Sequence, residues 1–330
     1  MHTALLAAAL LIGCLLAVQA SVNQQLNKAV GTPYGASTLQ LALATGLLLI
    51  LSVLAGAVTD LAGVAEARWW HLLGGLASPF YITSGILLIP RLGAVTTVGL
   101  FVSGQMAASL ALDLTGALGV DQRPLSAGMA VGGLAVLVGI SVIVRAQSRA
   151  AAPVPVPAPT ATGGGGVSVA TGEDPRLSPG RLGWPLLGLV AGGVLPVQGA
   201  VNAQLRGVLG DPLAVASVSF IVATLAITVA LVVLLSTHRT PRPRVEPLRH
   251  MPWWGWLGAA CAVGYVTGTF LLIPVIGAAV TVALTVSGQQ LTSAAIDQFG
   301  LFRLPRRPLT SARVTGLVLL VAGAFAIQLL

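Results

Sequence analysis

Between one charged side chain and the next, this chain repeatedly leaves gaps long enough to cross a lipid bilayer. Residues 1–27 precede the first charge, Lys28, and 29–59 separate Lys28 from Asp60. Further runs lie between His71 and Arg91, Arg91 and Asp113, and Arg123 and Arg145; then come 182–205, 213–237, the double-length 251–296 and the terminal 314–330. A helix needs about 20 apolar residues to cross roughly 30 Å of hydrocarbon, so the gaps predict ten membrane helices. Only 8% of the 330 residues are charged, against about 25% in ordinary soluble domains. The expected fold class is an all-α integral membrane protein.

A net charge of +8 would suggest a nucleic-acid partner in a soluble protein, but the topology accounts for it without one. Counting spans puts Arg68, Arg123 and Arg206 on one side and the other fourteen of the 17 Lys and Arg on the opposite side. Positive charge concentrates in short cytoplasmic loops, so both termini are expected outside and the segment 147–180 inside. The start of the chain imitates a secretory signal, with Val18-Gln19-Ala20 after an apolar run, but no basic residue precedes that run. Cys14 and Cys261 both fall within predicted helices and read as apolar filler rather than a disulfide.

The chain is also written twice. VQASVNQQL at 18–26 returns as VQGAVNAQL at 197–205, so Gln19 and Gln198 stand 179 positions apart (198 − 19). Trp69-Trp70 returns as Trp253-Trp254, LLIP at 87–90 as LLIP at 271–274, and VSGQ at 102–105 as VSGQ at 286–289, now 184 apart (287 − 103). Arg123-Pro124-Leu125 matches Arg307-Pro308-Leu309. An insertion of about five residues between helices seven and eight explains the change of offset. Each copy holds an odd number of helices, so the second enters the membrane from the opposite face. Inverted repeats of this kind belong to secondary transporters, whose halves exchange conformations around one site. The expected organisation is a first repeat at 1–146, a disordered Pro/Ala/Gly-rich linker at 147–180 and a second repeat at 181–330. Both halves sit in one chain, so a monomer suffices.

The V-Q-x-x-V-N-x-x-L of helix one, the double Trp opening helix three, the I-P ending it, and the S-G-Q with a later Asp in helix four resemble the YdcZ-like family of the drug/metabolite transporter superfamily. This sequence looks like a fused tandem of two such five-helix units. The resemblance implies an inner-membrane, EamA-like ten-helix transporter fold, with the lipid bilayer and a small-molecule substrate as partners. It settles no substrate.

Polar side chains inside a bilayer either join helices or line a path. If helix four starts near Gly93, Ser103 lies about 15 Å along it, near the midplane, with Gln105 just beyond. Ser287 and Gln289 match them in the second repeat. Gly104 and Gly288 remove a side chain and leave room for a ligand or another helix. Four-residue spacing puts Gln105, Ser109 and Asp113 on one helix face, and likewise Gln289, Ser293 and Asp297. Gln19 and Asn23, repeated as Gln198 and Asn202, present amides suited to a polar solute or to a neighbouring helix. Asp113 and Asp297 lie about 30 Å along their helices, each ten residues before an arginine, Arg123 or Arg307. A structural ion pair at the interface is preferred over proton coupling. Trp69, Trp70, Trp253 and Trp254 are expected as interface anchors, and Pro90 and Pro274 as helix ends.

The four histidines show no metal-ligand spacing, and no Gly-Lys-Ser/Thr loop exists to cradle a nucleotide. No cofactor, metal or enzymatic chemistry is therefore expected. The expectation is a secondary transporter, an exporter or facilitator of a small polar or amphipathic metabolite; the alternative is a membrane scaffold or sensor subunit that kept the fold.

Overall fold

The computed structural model describes residues 2–92, 94–150 and 183–329. Among them the secondary structure is helical throughout, with ten α-helices: α1 (His2–Val30), α2 (Pro33–Ala55), α3 (Ala77–Leu92), α4 (Ala94–Thr115), α5 (Ala127–Ala150), α6 (Gly183–Leu209), α7 (Pro212–Ser236), α8 (Leu257–Ile276), α9 (Ala278–Phe299) and α10 (Ser311–Leu329). Seven stretches, in α1, α2, α4, α5, α6, α7 and α8, are long and apolar enough to cross a membrane, and α10 contributes a shorter apolar run. The polarity of α9 has a structural reason: every residue from Ala278 to Gly288 is buried in protein, so that stretch need not match lipid. The expected linker, 147–180, lies from 151 onward outside the described residues; α5 itself runs to Ala150.

Local chemistry sets the boundaries. Extended Thr32 precedes Pro33 at the start of α2, where a missing N–H costs nothing. Asp211 accepts from the N–H groups of Leu213 (2.7 Å) and Ala214 (3.1 Å) to cap α7. The tryptophan pairs sit in short 3-10 segments, 69–76 and 253–256, that lead into α3 and α8 rather than in the helices. Pro274 does not end α8 as expected. The helix continues to Ile276, and the break falls at Gly277, whose φ of 90° suits a residue without a Cβ.

The two repeats pack as a pseudo-two-fold pair. α5 lies against α10, α2 against α7, and the crossings of α4 with α6 and of α1 with α9 are equivalent. Glycine makes these crossings possible. A Cβ on Gly104 would stand 1.9 Å from the Leu189 carbonyl oxygen, and one on Gly288 would stand 1.9 Å from that of Leu10. Reciprocally, Gly192 meets the Phe101 carbonyl and Gly13 that of Thr285. Thus the glycine of each S-G-Q admits a neighbouring backbone. On α5 and α10, Gly132 faces Gly323 and Gly139 faces Gly316 in the same reciprocal fashion. Where hydrocarbon surrounds the helices, such close backbone approach supplies much of the association energy.

The lengthened connection between α7 and α8 reaches back across the first repeat. Arg244 donates its backbone N–H to the Val30 carbonyl (2.8 Å) and lays its guanidinium beside Gly31.

Candidate functional site

Equivalent helices do not make equivalent contacts everywhere. α8 packs against both α1 and α6, whereas α3 packs against α6 without a comparable interface to α1. A cavity of about 530 Å³ lies in that space, bounded by α1, α2, α3 and α4. Its α1–α2 wall is polar, carrying Asn23, Gln24, Asn27, Ser37 and Gln40. Opposite them, α3 and α4 present Tyr81, Ile82, Val98 and Phe101, with the Tyr81 and Phe101 ring centroids 4.5 Å apart.

The polar wall is held by its own bonds. Asn23 donates to the Gln40 side-chain oxygen, and Gln40 donates to the Gly258 carbonyl (3.3 Å). In the second repeat Asn202 donates to Ser219 (3.2 Å), and Ser219 occupies the position equivalent to Gln40. The Asn23 amide oxygen lies so close to the Gly258 backbone, and that of Asn202 to Gly74, that a Cβ on either glycine would stand 2.5 Å away. These asparagines therefore tie the first two helices of each repeat together, and Asn23 also faces the cavity.

The corresponding surface of the second repeat is closed. Val98 is 37% exposed while its equivalent Val282 is 4% exposed; half-buried Tyr81 corresponds to buried Tyr265, and exposed Ala20 to buried Gly199.

The other amides and hydroxyls lie off this wall. Gln198 exchanges hydrogen bonds with Ser78 (3.2 and 3.5 Å) beside a second, apolar cavity of about 610 Å³ along α3 and α6. Its equivalent Gln19 has a buried amide oxygen without a hydrogen-bond partner, because Ala262 stands where Ser78 does in the first repeat. Ser103 is half-buried on α4 and Gln105 is buried; Gln289 is half-buried on α9. Ser287 is fully buried and returns its hydroxyl to the Ala283 carbonyl (2.7 Å) of its own helix, as Ser109 does to Met106 (3.0 Å). Gln105 and Ser287 thus pack inside the bundle while Ser103 and Gln289 stay half-buried, and the cavity uses the neighbouring turns of α1 and α2.

The two acidic residues depart from the expected Asp–Arg ion pairs. Asp113, near the end of α4, is buried at 1% exposure. Its two oxygens accept from the backbone N–H groups of Ala278 and Ala279 (2.7 Å each), capping the start of α9. Arg123 donates to the Ile276 carbonyl (2.9 Å) at the end of α8. Together they clamp the α8–α9 hairpin at Gly277, a charge-complementary use of both helix ends. Asp297 is bound differently: Arg313, not Arg307, donates to it at 2.7 Å. Both repeats share one further bond, from the Arg123 N–H to the Asp113 carbonyl and from the Arg307 N–H to the Asp297 carbonyl. Trp69 and Trp253 are each 74% exposed, as anchors would be. Trp70 and Trp254 are half-buried, Trp254 against Phe302 and under Arg303.

Sequence reasoning missed Gln24, Asn27, Gln40, Tyr81 and Phe101 of the cavity. Tyr81 carried a readable signal, since Y-x-T at 81–83 recurs at 265–267. Arg313 carried none, because its repeat equivalent is Met129.

A helical bundle of two inverted repeats, with helices long and apolar enough to span a bilayer and a cavity carrying amides along one wall, defines the class: a multi-pass membrane protein of transporter architecture. The chain belongs to the YdcZ family, for residues 4–142 and 183–326 both match its model, described as "Putative inner membrane exporter, YdcZ". It is 33% identical over 82 residues to the inner membrane protein YdcZ of Escherichia coli (strain K12), a match that takes in 25% of this chain and spans about half (54%) of that relative. A crystal structure of another protein, 16% identical, superposes with a TM-score of 0.63 over 98% of this chain and 97% of that one; at that identity the likeness shows the fold. The family match and the apolar helices together support a multi-pass inner-membrane protein.

Proposed function

We propose that the protein is a secondary transporter that moves a small polar or amphipathic metabolite by alternating access, with all ten helices spanning the bilayer. The observation that carries this reading is the inequality of repeat-equivalent surfaces: open at Ala20, Tyr81 and Val98, closed at Gly199, Tyr265 and Val282. Two halves of nearly one design in two arrangements are what an exchange between states requires. The cavity is lined by the portions of α1 and α4 nearest Lys28 and Arg91, the side that the positive-charge rule places in the cytoplasm. The present arrangement is then inward-open, with both termini outside and the segment 147–180 inside. The clamp of Asp113 and Arg123 on the α8–α9 hairpin is the closed outer gate. One chain supplies both halves, so a monomer is the working unit.

Solute flux in proteoliposomes tests this. A panel of labelled neutral, cationic and anionic metabolites is expected to yield at least one saturable flux. Ala20→Trp, which fills the cavity from an exposed position, is expected to abolish it while leaving the unfolding midpoint unchanged. No saturable flux across the panel favours a non-transporting scaffold, whereas a saturable flux indifferent to Ala20→Trp means that the solute does not pass through this cavity.

A further inference from the structure

Building on the transport reading, we infer that the cavity between α1 and α4 selects an uncharged amphipathic solute, with an aromatic or apolar body and an amide, carbonyl or hydroxyl end. Among the described residues lining it none is charged. The polar wall offers only side-chain amides and a hydroxyl: Asn23, Gln24, Asn27, Ser37 and Gln40. Amides donate and accept alike, so they satisfy a neutral polar end but leave a full charge without its counter-ion. Of the cations toward the Lys28 end of α1, none lines the cavity: Lys28 is exposed, Arg244 donates to the Lys28 carbonyl (3.3 Å), and Arg91 lays its guanidinium 4.2 Å over the Trp184 ring and donates to the Leu87 carbonyl (2.7 Å). The two carboxylates of the spans are likewise committed, Asp113 to the start of α9 and Asp297 to Arg313.

On the facing wall, Tyr81 and Phe101 offer ring surface and Ile82 and Val98 offer aliphatic surface. A planar apolar body fits there while its polar end meets the amides. A volume of about 530 Å³ accommodates ligands up to ordinary drug size. An ion entering this space gives up water and gains no opposite charge, which disfavours it strongly.

Three probes of one shape and different charge test the inference: benzamide, benzamidinium and benzoate. In a Cys14→Ala/Cys261→Ala background, Gln24→Cys places a thiol on the cavity wall, and protection of that thiol from a water-soluble maleimide reports occupancy without requiring transport. Benzamide is expected to protect at concentrations at least about tenfold lower than either ion. Adding Asn27→Asp, nearly isosteric, is expected to improve protection by benzamidinium about tenfold while leaving benzoate ineffective. Protection by either ion equal to or better than that by benzamide, or none by benzamide up to its solubility limit, overturns the inference. Flux distinguishes the two readings: benzamide protection without any solute flux keeps the selectivity and removes the transporter, whereas flux of charged solutes alone does the reverse.

Discussion

Gly104→Ala and Gly288→Ala are each expected to lower the unfolding midpoint in lipid nanodiscs clearly, in the overpacking range of about 1–3 kcal/mol or above. The added methyl of either would stand 1.9 Å from a carbonyl oxygen of the crossing helix, Leu189 or Leu10. What it meets is backbone, not the end of a flexible side chain, so a whole helix must shift. That shift also strains the reciprocal contacts at Gly192 and Gly13, whose Cβ positions lie 2.0 Å from the Phe101 and Thr285 carbonyls. Gly46→Ala is the control, because nothing lies within 4 Å of its Cβ position and a helix interior prefers alanine. Equal midpoints for Gly104→Ala and Gly46→Ala would mean that α4 and α6 do not cross as described.

The acidic residues give the second large effect, and the two repeats are expected to respond differently. Asp113→Ala removes both acceptors from the start of α9 and orphans two buried donors, at roughly 1–3 kcal/mol each. Asp113→Asn keeps one acceptor oxygen and is expected to fall between wild type and alanine. Asp297→Ala leaves Arg313, itself 5% exposed, as an unpaired buried charge, a change that typically costs about 3–5 kcal/mol. Replacing the stranded arginine by the residue that the first repeat carries there, as Asp297→Ala/Arg313→Met, is expected to recover most of that loss. A double variant no more stable than Asp297→Ala would show that the 2.7 Å pair is not what holds this end of α9 to α10.

The duplication and the spacing of charges made the architecture legible, because both report directly on the solvent around the helices. The two offsets match Gly13 with Gly192 and Gly104 with Gly288, but which helices these glycines bring together came only from the packing. The details that escaped are those fixed by packing rather than by lipid. Asp113 reads as an interface residue by its distance along α4, yet the neighbouring hairpin covers it and its partners are backbone N–H groups, which no residue type advertises. The polar stripe of Ser103, Gln105, Ser287 and Gln289 was readable as a face, but not what that face meets. Ser287 satisfies its hydroxyl within its own helix. Nor could the sequence say which half is open. The repeats carry almost the same motifs, and states that interconvert differ by only a few kcal/mol, less than motif reading can resolve.

The most direct measurement is disulfide cross-linking between α1 and α3 in membranes. In the second repeat, Gly199 and Thr269 are neighbours: a Cβ on Gly199 would lie 3.2 Å from the Thr269 methyl carbon. Their equivalents, Ala20 and Gly85, both border the open cavity, and Gly85 tolerates a side chain because a Cβ there would come no nearer than 3.7 Å to Phe101. With Cys14 and Cys261 replaced by alanine, the pair Ala20→Cys/Gly85→Cys is expected to cross-link in part of the population, as the inward cavity closes and α3 reaches α1. Cross-linking is expected to stop flux, and reduction to restore it. Failure of the pair to cross-link in any lipid or solute condition, with flux intact, would contradict alternating access between the two repeats.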